Sequence, residues 1–398
     1  MTTITGILER PSPNESRLRQ FNGVSLISSP DDPLIPTSMS DHYRLRAGAE
    51  VKAVVAMKRP KRKRGGRGAP RPVVDEILEV EGLAPDAYAQ TRAFEDLTVI
   101  DPRPRITLEH RGCSTSCRLI DLFCPIGRGQ RGLIVSPPKA GKTTLLKDIA
   151  TAVLTNHKDM DLIVLLIDER PEEVTDFRRT LLGPSGQPWD RPWSADRVRI
   201  LASSNDHDTQ RHIAVAMLCM ERCKRMVEAG RHVVVILDSL TRLGRAFNRS
   251  NRHASSGRTL SGGIDSKAME VPRQIFGSAR NTEEAGSLTI IATCLVDTGS
   301  QGDQVIFEEF KGSGNMELIL DRKIAERRVF PAINLAASGT RKEDLLLEPL
   351  PLRTVTALRR RLLAMPPHQQ VEQLLKAIER FPSNDELVKF AAGNSAEG

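Results

Sequence analysis

The residues best suited to chemistry lie in segment 136–143, which reads Ser-Pro-Pro-Lys-Ala-Gly-Lys-Thr. It follows a predicted strand at residues 132–135 and precedes a helical stretch at residues 144–154. In this order of strand, small-residue loop and helix, backbone N–H groups converge on a phosphate at the positive end of the helix. The segment therefore predicts a site for a nucleotide phosphate.

Three residues of this segment have distinct predicted roles. Gly141 allows close backbone approach, Lys142 bridges the β- and γ-phosphates, and the Thr143 hydroxyl ligates Mg²⁺. Ser136 replaces the first glycine of the strict motif, a position where a small residue is tolerated. A chance Gly-Lys-Thr in a turn is the alternative, and both flanking elements argue against it. The predicted ligand is a nucleotide, and the predicted cofactor is Mg²⁺.

Two carboxylates at predicted strand ends complete this constellation. Asp238 closes an apolar run, so it projects from the edge of the sheet where open α/β folds bind ligands, as a partner for Mg²⁺. Glu169 follows another apolar run and is placed to orient or deprotonate the attacking water. Either acid alone is equally consistent with a helix cap or a surface carboxylate. Together with Lys142 they predict hydrolysis of a nucleoside triphosphate.

Composition sets outer bounds on function. The 398 residues carry a formal net charge of +8 and are 39% hydrophobic, which indicates a globular chain with a plausible polyanionic partner. We expect no membrane span and no secretory signal, and therefore a cytoplasmic protein. The six cysteines form no C-x-x-C pair and are expected to be reduced core residues.

The pattern along the chain predicts an α/β fold behind a smaller β domain. Apolar runs at 133–135, 162–167, 233–237 and 288–292 alternate with helical segments such as 211–228, which is typical of a mostly parallel sheet. Residues 371–390 predict one or two amphipathic helices around Pro382. Short apolar runs near 24–27 and 51–55 suggest a small barrel.

A dense run of lysine and arginine begins at Lys58 and interrupts the first domain. It predicts a mobile loop that either binds RNA phosphates or is simply solvated, and the sequence does not separate these alternatives. We divide the chain into a first barrel part (1–57), the basic loop (58–74), the end of the barrel with a linker (75–110) and the ATPase domain (111–398).

Several long motifs occur in the order found in the Rho family of RNA-dependent ATPases, and they resemble that family closely from about Ala93 onward. They are Gly-Arg-Gly-Gln-Arg-Gly at 127–132, PPKAGKT at 137–143, LLIDERPEEVTD at 165–176, LDSLTRL at 237–243, SLTIIAT at 287–293, EEFKGSGNMEL at 308–318 and RKIAERRVFPAIN at 322–334. The catalytic subunits of ATP synthases share the phosphate loop but lack the DERPEEV and KGSGNMEL sequence motifs. The resemblance implies a RecA-like P-loop domain after an OB or cold-shock-like barrel.

What the resemblance implies for the ATP site can be stated residue by residue. Glu169 would be the catalytic glutamate, Phe330 would stack on adenine, and Arg341 would be an arginine finger acting on a neighbouring subunit's ATP, which implies a homohexamer. Lys142, Glu169, Asp238 and Arg341 form the catalytic set, and Thr143 and Asp238 hold the metal. The implied ATP contacts are Gly127, Arg128, Gly129, Gln130, Arg131, Gly132, Lys139, Ala140, Gly141, Lys142, Thr143, Thr144, Arg170, Arg242, Arg328 and Phe330.

Two loops resemble the family's RNA-contacting Q-loop and R-loop, at residues 256–263 and 297–303. The implied RNA contacts are Arg258, Leu260, Ser261, Gly262, Gly263, Gly299, Ser300 and Gln301. Gln301 is neutral where the family has a basic pore residue, so the grip on RNA could pass to Arg258 or Lys311. The barrel departs further, because residues 14–19 and Leu34 lack the family's base-stacking aromatics.

A longer loop than the family suggests, residues 183–193, contains both tryptophans, Trp189 and Trp193. It is either a partner anchor or, as we favour, packed on its own domain.

The leading hypothesis is an ATP-driven 5′–3′ RNA translocase and RNA–DNA helicase that binds single-stranded nascent RNA and terminates transcription, with RNA polymerase and accessory termination factors as partners. A Rho-like RNA-binding ATPase ring with weak or no helicase activity is the second hypothesis, because of Gln301 and the missing aromatics. A rotary ATPase subunit is the third, and the basic loop and the Q-loop argue against it.

Overall fold

The N-terminal part of the chain is a closed barrel. The computed structural model describes residues 2–12, 15–20, 29, 31–59, 69–184 and 190–394. The barrel strands, in the spatial order β1-β2-β3-β5-β4, are β1 (Thr2–Ser12), β2 (Glu15–Arg19), β3 (Leu34–Ile35), β4 (Glu50–Lys58) and β5 (Arg71–Val80). Antiparallel pairing of β1 with β4 closes the ring. The predicted barrel is therefore confirmed, and the predicted strand near 24–27 lies outside the described residues.

The basic run connects β4 to β5 at one end of the barrel. Its central residues 60–68 lie outside the described part of the chain, and at its start Lys58 pairs with Asp75 at 2.5 Å. Strand β5 begins at Arg71, inside the segment assigned to the basic loop, because Val74 packs into the barrel core.

The second part of the chain is built around a mixed sheet with the order β11-β10-β12-β14-β9-β15-β16. Its strands are β9 (Arg131–Ser136), β10 (Met160–Glu169), β11 (Val198–Ser204), β12 (His232–Asp238), β14 (Ser287–Leu295), β15 (Met316–Ile319) and the antiparallel β16 (Gly339–Thr340). Short strands β6 (Val99–Ile100) and β13 (Arg280–Thr282) extend it, and β7 (Arg105–Ile106) pairs with β8 (Ile126–Gly127). The predicted α/β class and its parallel strands are confirmed.

Helices cover both faces of this sheet, as a buried parallel sheet requires. They are α3 (Thr115–Phe123), α4 (Lys142–Asn156), α5 (Pro171–Leu182), α6 (Thr209–Glu228), α7 (Leu240–Arg249), α8 (Glu270–Gly277), α9 (Gln301–Phe310) and α10 (Arg322–Glu326), after α1 (Thr37–His42) and α2 (Pro85–Ala89) in the first domain. Strand β10 shows why residues 162–167 form a continuous apolar run. Val164 packs with residues of α4 and α5 on one face, while its neighbour Leu165 packs with residues of α6 and α7 on the other.

Three helices end the described chain: α11 (Pro349–Leu362), α12 (Pro367–Arg380) and α13 (Asn384–Asn394). The predicted break near Pro382 separates α12 from α13. Arg118 of α3 donates to the carbonyls of Ile378 and Phe381 at 2.9 and 2.7 Å, and to Asn384 at 3.1 Å. These contacts attach the last two helices to the sheet domain.

The barrel sits directly on helix α6. A Cβ on Gly48 would lie 2.2 Å from the α6 backbone, so only glycine fits at this contact. Arg222 of α6 pairs with Glu81 of the barrel, and Arg46 pairs with Glu228 at 3.2 Å. Because these carboxylates are almost fully buried, the pairs hold the two domains in one arrangement.

Trp193 is 5% exposed and its indole N–H donates to the Leu181 carbonyl at 3.1 Å, so this tryptophan packs on its own domain; Trp189 lies outside the described residues.

The cysteines are unpaired, and burial raises the pKa of the Cys117, Cys124 and Cys294 thiols to about 12. Across the described ranges, no helix combines the length and apolar character needed to cross a membrane.

Candidate functional site

The phosphate loop lies at the C-terminal edge of the sheet, between the end of β9 and the start of α4. Helix α4 begins at Lys142, and Gly141 before it has φ +88°, in the left-handed region that favours glycine. Lys139 is also left-handed, at φ +63°. Successive left-handed and helical residues turn backbone N–H groups toward one point, which suits an anion.

Lys142 reaches from this loop to two carboxylates on other strands. Its Nζ lies 2.5 and 2.6 Å from the two carboxylate oxygens of Asp238, and 3.6 Å from Glu169 Oε1. Arg242, in the first turn of α7, approaches the same Glu169 oxygen to 3.3 Å. The structure therefore brings together the residues that the sequence placed in one constellation.

Asp238 is held at the end of β12 by strand pairing and by a neighbouring hydroxyl. It pairs with Leu166 of β10, and Thr293 of the adjacent strand β14 donates to its Oδ1 at 2.7 Å. Both Asp238 and Thr293 are fully buried. Sequence analysis did not identify Thr293, although a threonine near the C-terminal end of a mostly apolar strand was a usable signal.

Glu169 is a buried carboxylate with open hydrogen-bonding capacity. It is 1% exposed, and neither of its carboxylate oxygens accepts a hydrogen bond from the residues that the structure describes. Burial, and then the charge of Asp238, raise the pKa of Glu169 to about 7, against the opposing effect of Lys142 and Arg242. Such a group can accept a proton near neutral pH, and its oxygens can accept a hydrogen bond from a water molecule.

The remaining residues of the loop are placed around this cluster. Thr143 is half-buried in the first turn of α4, Ala140 is buried, and Lys139 and Thr144 are exposed. Arg170 follows Glu169 directly and is exposed at the start of α5. In the described part of the chain no group of three or more histidine, cysteine or acidic residues forms a metal site.

Phe330 forms an apolar wall beside the loop. A Cβ on Gly141 would lie 3.4 and 3.5 Å from two carbons of the Phe330 ring, and the Phe330 residue is nevertheless 41% exposed. Arg328 nearby is exposed with φ +61°. An exposed aromatic face next to a phosphate loop can stack on a base.

The six residues of segment 127–132 do not join this site. They lie at the start of β9, and the phosphate loop follows its end, so about 15–20 Å of strand separates the two in one subunit. Their contacts are structural. Gly129 is packed against Asn281 at φ +88°, Gln130 donates to Asn315 at 2.6 Å, and Arg128 pairs with Asp159 at 2.7 Å.

The other members of segment 127–132 are packed in the same way. A Cβ on Gly127 or Gly132 would collide with Pro102 or Ile291, and Arg131 donates to the Ser313 carbonyl at 3.1 Å. Within one subunit these six residues therefore lie at the edge of the sheet opposite to the phosphate loop. The reason is strand direction, because residues before and after a strand emerge at opposite edges of a parallel sheet.

Arg341 lies at this opposite edge as well. It follows β16, which pairs with the start of β15, and its backbone N–H donates to the Asn315 carbonyl at 2.8 Å. The guanidinium is exposed and donates to the Gly312 carbonyl at 3.3 Å. Arg341 therefore cannot reach Lys142 of its own subunit.

The two loops that resemble RNA-binding loops touch each other. A Cβ on Gly262 would lie 2.6 Å from the Gly302 nitrogen and 2.7 Å from the Gln301 carbonyl carbon, so the Q-loop and R-loop are in backbone contact. The remaining predicted RNA contacts in both loops are exposed: Arg258, Leu260, Ser261, Gly263, Gly299, Ser300 and Gln301.

Two side chains that the sequence analysis missed brace the R-loop. Buried Asp303 accepts hydrogen bonds from Arg245 at 2.7 Å and from Thr298 at 2.6 Å. Arg245 lies one helical turn after Arg242 on α7. One helix therefore contacts both Glu169 and the R-loop.

Comparison with known proteins agrees with this geometry. Residues 116–340 match the model of the ATP synthase alpha/beta family, nucleotide-binding domain. The chain is 43% identical over 386 residues to transcription termination factor Rho of Akkermansia muciniphila, covering 97% of this chain and 76% of the relative. The factor of the same name from Aquifex aeolicus is 45% identical over 361 residues, covering 90% and 78%.

The Rho of Borreliella burgdorferi is 51% identical over 303 residues, covering 76% of this chain and 56% of the relative. Among solved structures, an ATPase of a type III secretion system from pathogenic bacteria superposes with a TM-score of 0.59 at 19% identity, covering 82% of this chain and 94% of that chain. The assembled secretion ATPase EscN of enteropathogenic E. coli gives a TM-score of 0.59 at 20% identity, covering 84% and 78%. These two likenesses show the fold alone.

Proposed function

This chain belongs to the transcription termination factor Rho family, and we propose that it is an RNA-dependent ATPase that moves along RNA and terminates transcription. The observation that carries this proposal is the cluster of Lys142, Asp238, Glu169 and Arg242 at the end of the phosphate loop. The arrangement offers a cation for phosphates, a buried acid that can accept a proton, and a second cation within one site.

In the proposed reaction the chain positions ATP and the attacking water. Lys142 leaves its carboxylate partners to contact the β- and γ-phosphates, while backbone N–H groups of the loop bind the phosphate oxygens. Glu169 orients the water and accepts its proton, since no described residue donates a hydrogen bond to its oxygens. Thr143 and Asp238 would hold Mg²⁺, which supplies charge neutralisation at the phosphates. Arg170, Lys139, Thr144 and Arg328 line the exposed side.

We infer that the functional unit is a ring, a homohexamer by resemblance to the family. Arg341 is exposed at the sheet edge opposite to the phosphate loop, so it can act only on ATP bound to another subunit. Segment 127–132 lies at that same edge, and any role of it in ATP binding also requires a neighbouring subunit. Ring closure would place two half-sites against each other.

RNA would pass the Q-loop and the R-loop, which are exposed and in contact with each other. Helix α7 would link the R-loop to the site of ATP hydrolysis, because its Arg242 contacts Glu169 and its Arg245 contacts Asp303. Of the described barrel aromatics, Tyr88 is buried in the barrel core and offers no open face to a base, while Tyr43 packs half-buried against that core. Charge at the barrel is then the basis for RNA binding there.

A Rho-like ring with weak helicase activity is the second candidate, and exposed, neutral Gln301 is the observation behind it. The shared name of the relatives favours the terminator. A strand-displacement assay on an RNA–DNA duplex with a 5′ single-stranded RNA overhang separates the two. Hydrolysis with displacement supports the translocase, and hydrolysis without displacement supports the binding ring. RNA polymerase and accessory factors remain proposed partners.

Single-stranded RNA is expected to stimulate ATP hydrolysis by about tenfold or more, equivalent to lowering the activation free energy by about 1.4 kcal/mol. The rate should be measured with homopolymeric RNAs at two salt concentrations, with equal masses of mononucleotides as the control. We expect a steep loss of RNA affinity with salt and little base preference, because phosphate contacts release counterions. Hydrolysis that ignores RNA at both salt concentrations would refute the proposed function.

Phe330→Ala is expected to weaken ATP binding by about 1–3 kcal/mol, or roughly 5- to 150-fold in Kd, because a stacking face is lost beside the phosphate loop. Phe330→Trp should retain most of the affinity. Phe390→Ala is the matched control, since Phe390 is similarly exposed on α13, away from the loop. A fluorescent ATP analogue titration measures all three. Equal affinities for Phe330→Ala and the parent would contradict adenine stacking.

A further inference from the structure

Strand β10 contains an irregularity one residue before Glu169. Ile167 pairs with Ser203 of β11 and Glu169 pairs with Ser204, so Asp168 between them is left out of the ladder. Asp168 has φ +56°, in the left-handed region. Aspartate adopts this conformation more readily than most residues, but it costs free energy and persists only where the surroundings hold it. The direction of the Glu169 side chain depends on this backbone.

A histidine on helix α6 bridges the two strands at this irregularity. The Nδ1 atom of His212 lies 2.5 Å from Ser203 Oγ, and its Nε2 atom lies 4.0 Å from Asp168 Oδ1. His212 is 6% exposed and Ser203 is fully buried. The order of serine, histidine and aspartate resembles a hydrolase triad, but a fully buried Ser203 cannot reach a substrate. The three side chains therefore act on structure and not as nucleophile and base.

The imidazole is itself fixed by its helix. His212 lies in the first turn of α6, where the Asp208 side chain accepts from the Arg211 backbone N–H at 2.8 Å. Burial lowers the pKa of His212, so the ring is neutral at physiological pH, with one donor and one acceptor nitrogen. Its Nε2 atom faces the Asp168 carboxylate across 4.0 Å, a polar contact that is longer than a hydrogen bond.

We propose that His212 is a positioning residue for ATP hydrolysis: anchored on Ser203, it holds the Asp168 carboxylate and thereby the backbone that aims Glu169 at the attacking water. The proposal rests on the ATPase function proposed above. It predicts a specific kinetic pattern, because neither His212 nor Asp168 touches the phosphate loop or Phe330. Hydrolysis should suffer while ATP binding does not.

His212→Asn is expected to lower RNA-stimulated kcat by about 10- to 100-fold, because the Glu169 carboxylate would be misplaced by about 1 Å. An asparagine amide can replace the contact with Ser203, but it does not reach Asp168. The Kd for a non-hydrolysable ATP analogue should stay within about twofold of the parent, a change below about 0.4 kcal/mol. His212→Gln extends farther and should recover part of the lost kcat.

His232→Asn is the matched control. His232 Nδ1 lies 3.0 Å from Ser287 Oγ, so it makes the same kind of histidine–serine contact as His212. This contact joins neighbouring strands at the start of β12, away from Glu169. Burial lowers the pKa of this histidine as well. His232→Asn should therefore keep the parental kcat, which separates positioning from the general loss of a half-buried histidine.

A double-mutant cycle with Asp168→Gly completes the test. Glycine keeps the left-handed backbone accessible and removes the carboxylate, so it should lower kcat as His212→Asn does, and the double variant should lose little more. Three results would overturn the proposal. They are a double variant whose loss of kcat is the product of the two single losses, an unchanged kcat in His212→Asn, and a loss of kcat in His232→Asn equal to that in His212→Asn. If His212→Asn fails to fold, the kcat of Asp168→Gly still tests the proposal, because Asp168 is only half-buried and its replacement by glycine is better tolerated. A parent that hydrolyses no ATP would refute the proposed function itself.

Discussion

Lys142→Ala is expected to abolish ATP turnover, with kcat reduced by at least about 10²–10³. The reason is electrostatic, since Lys142 is the cation that contacts both Asp238 and Glu169 and that would neutralise charge on the transferred phosphate. Steady-state hydrolysis with saturating RNA measures the effect. Lys147→Ala is the control on the same helix, because Lys147 pairs with the exposed Asp176 outside this cluster. It should retain parental turnover.

Loss of Lys142 also leaves the buried Asp238 carboxylate without its cation, and leaves Arg242 as the remaining cation beside Glu169. Breaking a buried ion pair from one side costs about 3–5 kcal/mol, so the alanine variant is expected to unfold at a lower temperature unless protonation of Glu169 relieves the charge. Lys142→Gln separates stability from catalysis, since the amide can still donate to Asp238 but carries no charge. It should fold and remain inactive. A folded Lys142→Gln with parental turnover would show that the charge at this position is dispensable.

Arg341→Ala is expected to reduce RNA-stimulated turnover by about 10³–10⁵ and to leave ATP affinity nearly unchanged, as for an arginine finger supplied by another subunit. The structure supplies the reason. Arg341 is exposed at the sheet edge opposite to Lys142, with its backbone anchored to Asn315. Arg353→Ala, which removes an exposed arginine on α11, serves as the control. Turnover and ATP-analogue binding should be measured on the same preparations.

Mixing subunits tests whether the site is shared. Rings assembled from Lys142→Gln and Arg341→Ala subunits contain some interfaces where an intact Lys142 faces an intact Arg341. Such rings should recover part of the activity that each variant lacks alone. No recovery from mixed rings, or a fully active Arg341→Ala ring, would rule out a site completed by the neighbour.

Several features of this molecule were predictable because their signals are local. The phosphate loop was readable from a small-residue turn between an apolar strand and a helix, and Asp238 and Glu169 from their positions after apolar runs. The N-terminal barrel was predicted from short strands between turn residues. The start of β5 at Arg71 was not predicted, since a run of like charges hides where barrel packing resumes at Val74.

By itself the sequence determined the nucleotide chemistry and the family, because a phosphate loop and its flanking elements depend on residues adjacent in the chain. Only the tertiary structure decided which side chains lie next to one another. Strand β14 lies between β9 and β12, so Lys142 crosses it to meet Asp238, and Thr293 joins them. Strand direction placed segment 127–132 and Arg341 at the far edge, and long-range packing brought His212 to Asp168. Strand order and direction are set by packing between distant segments, which local residue patterns do not encode.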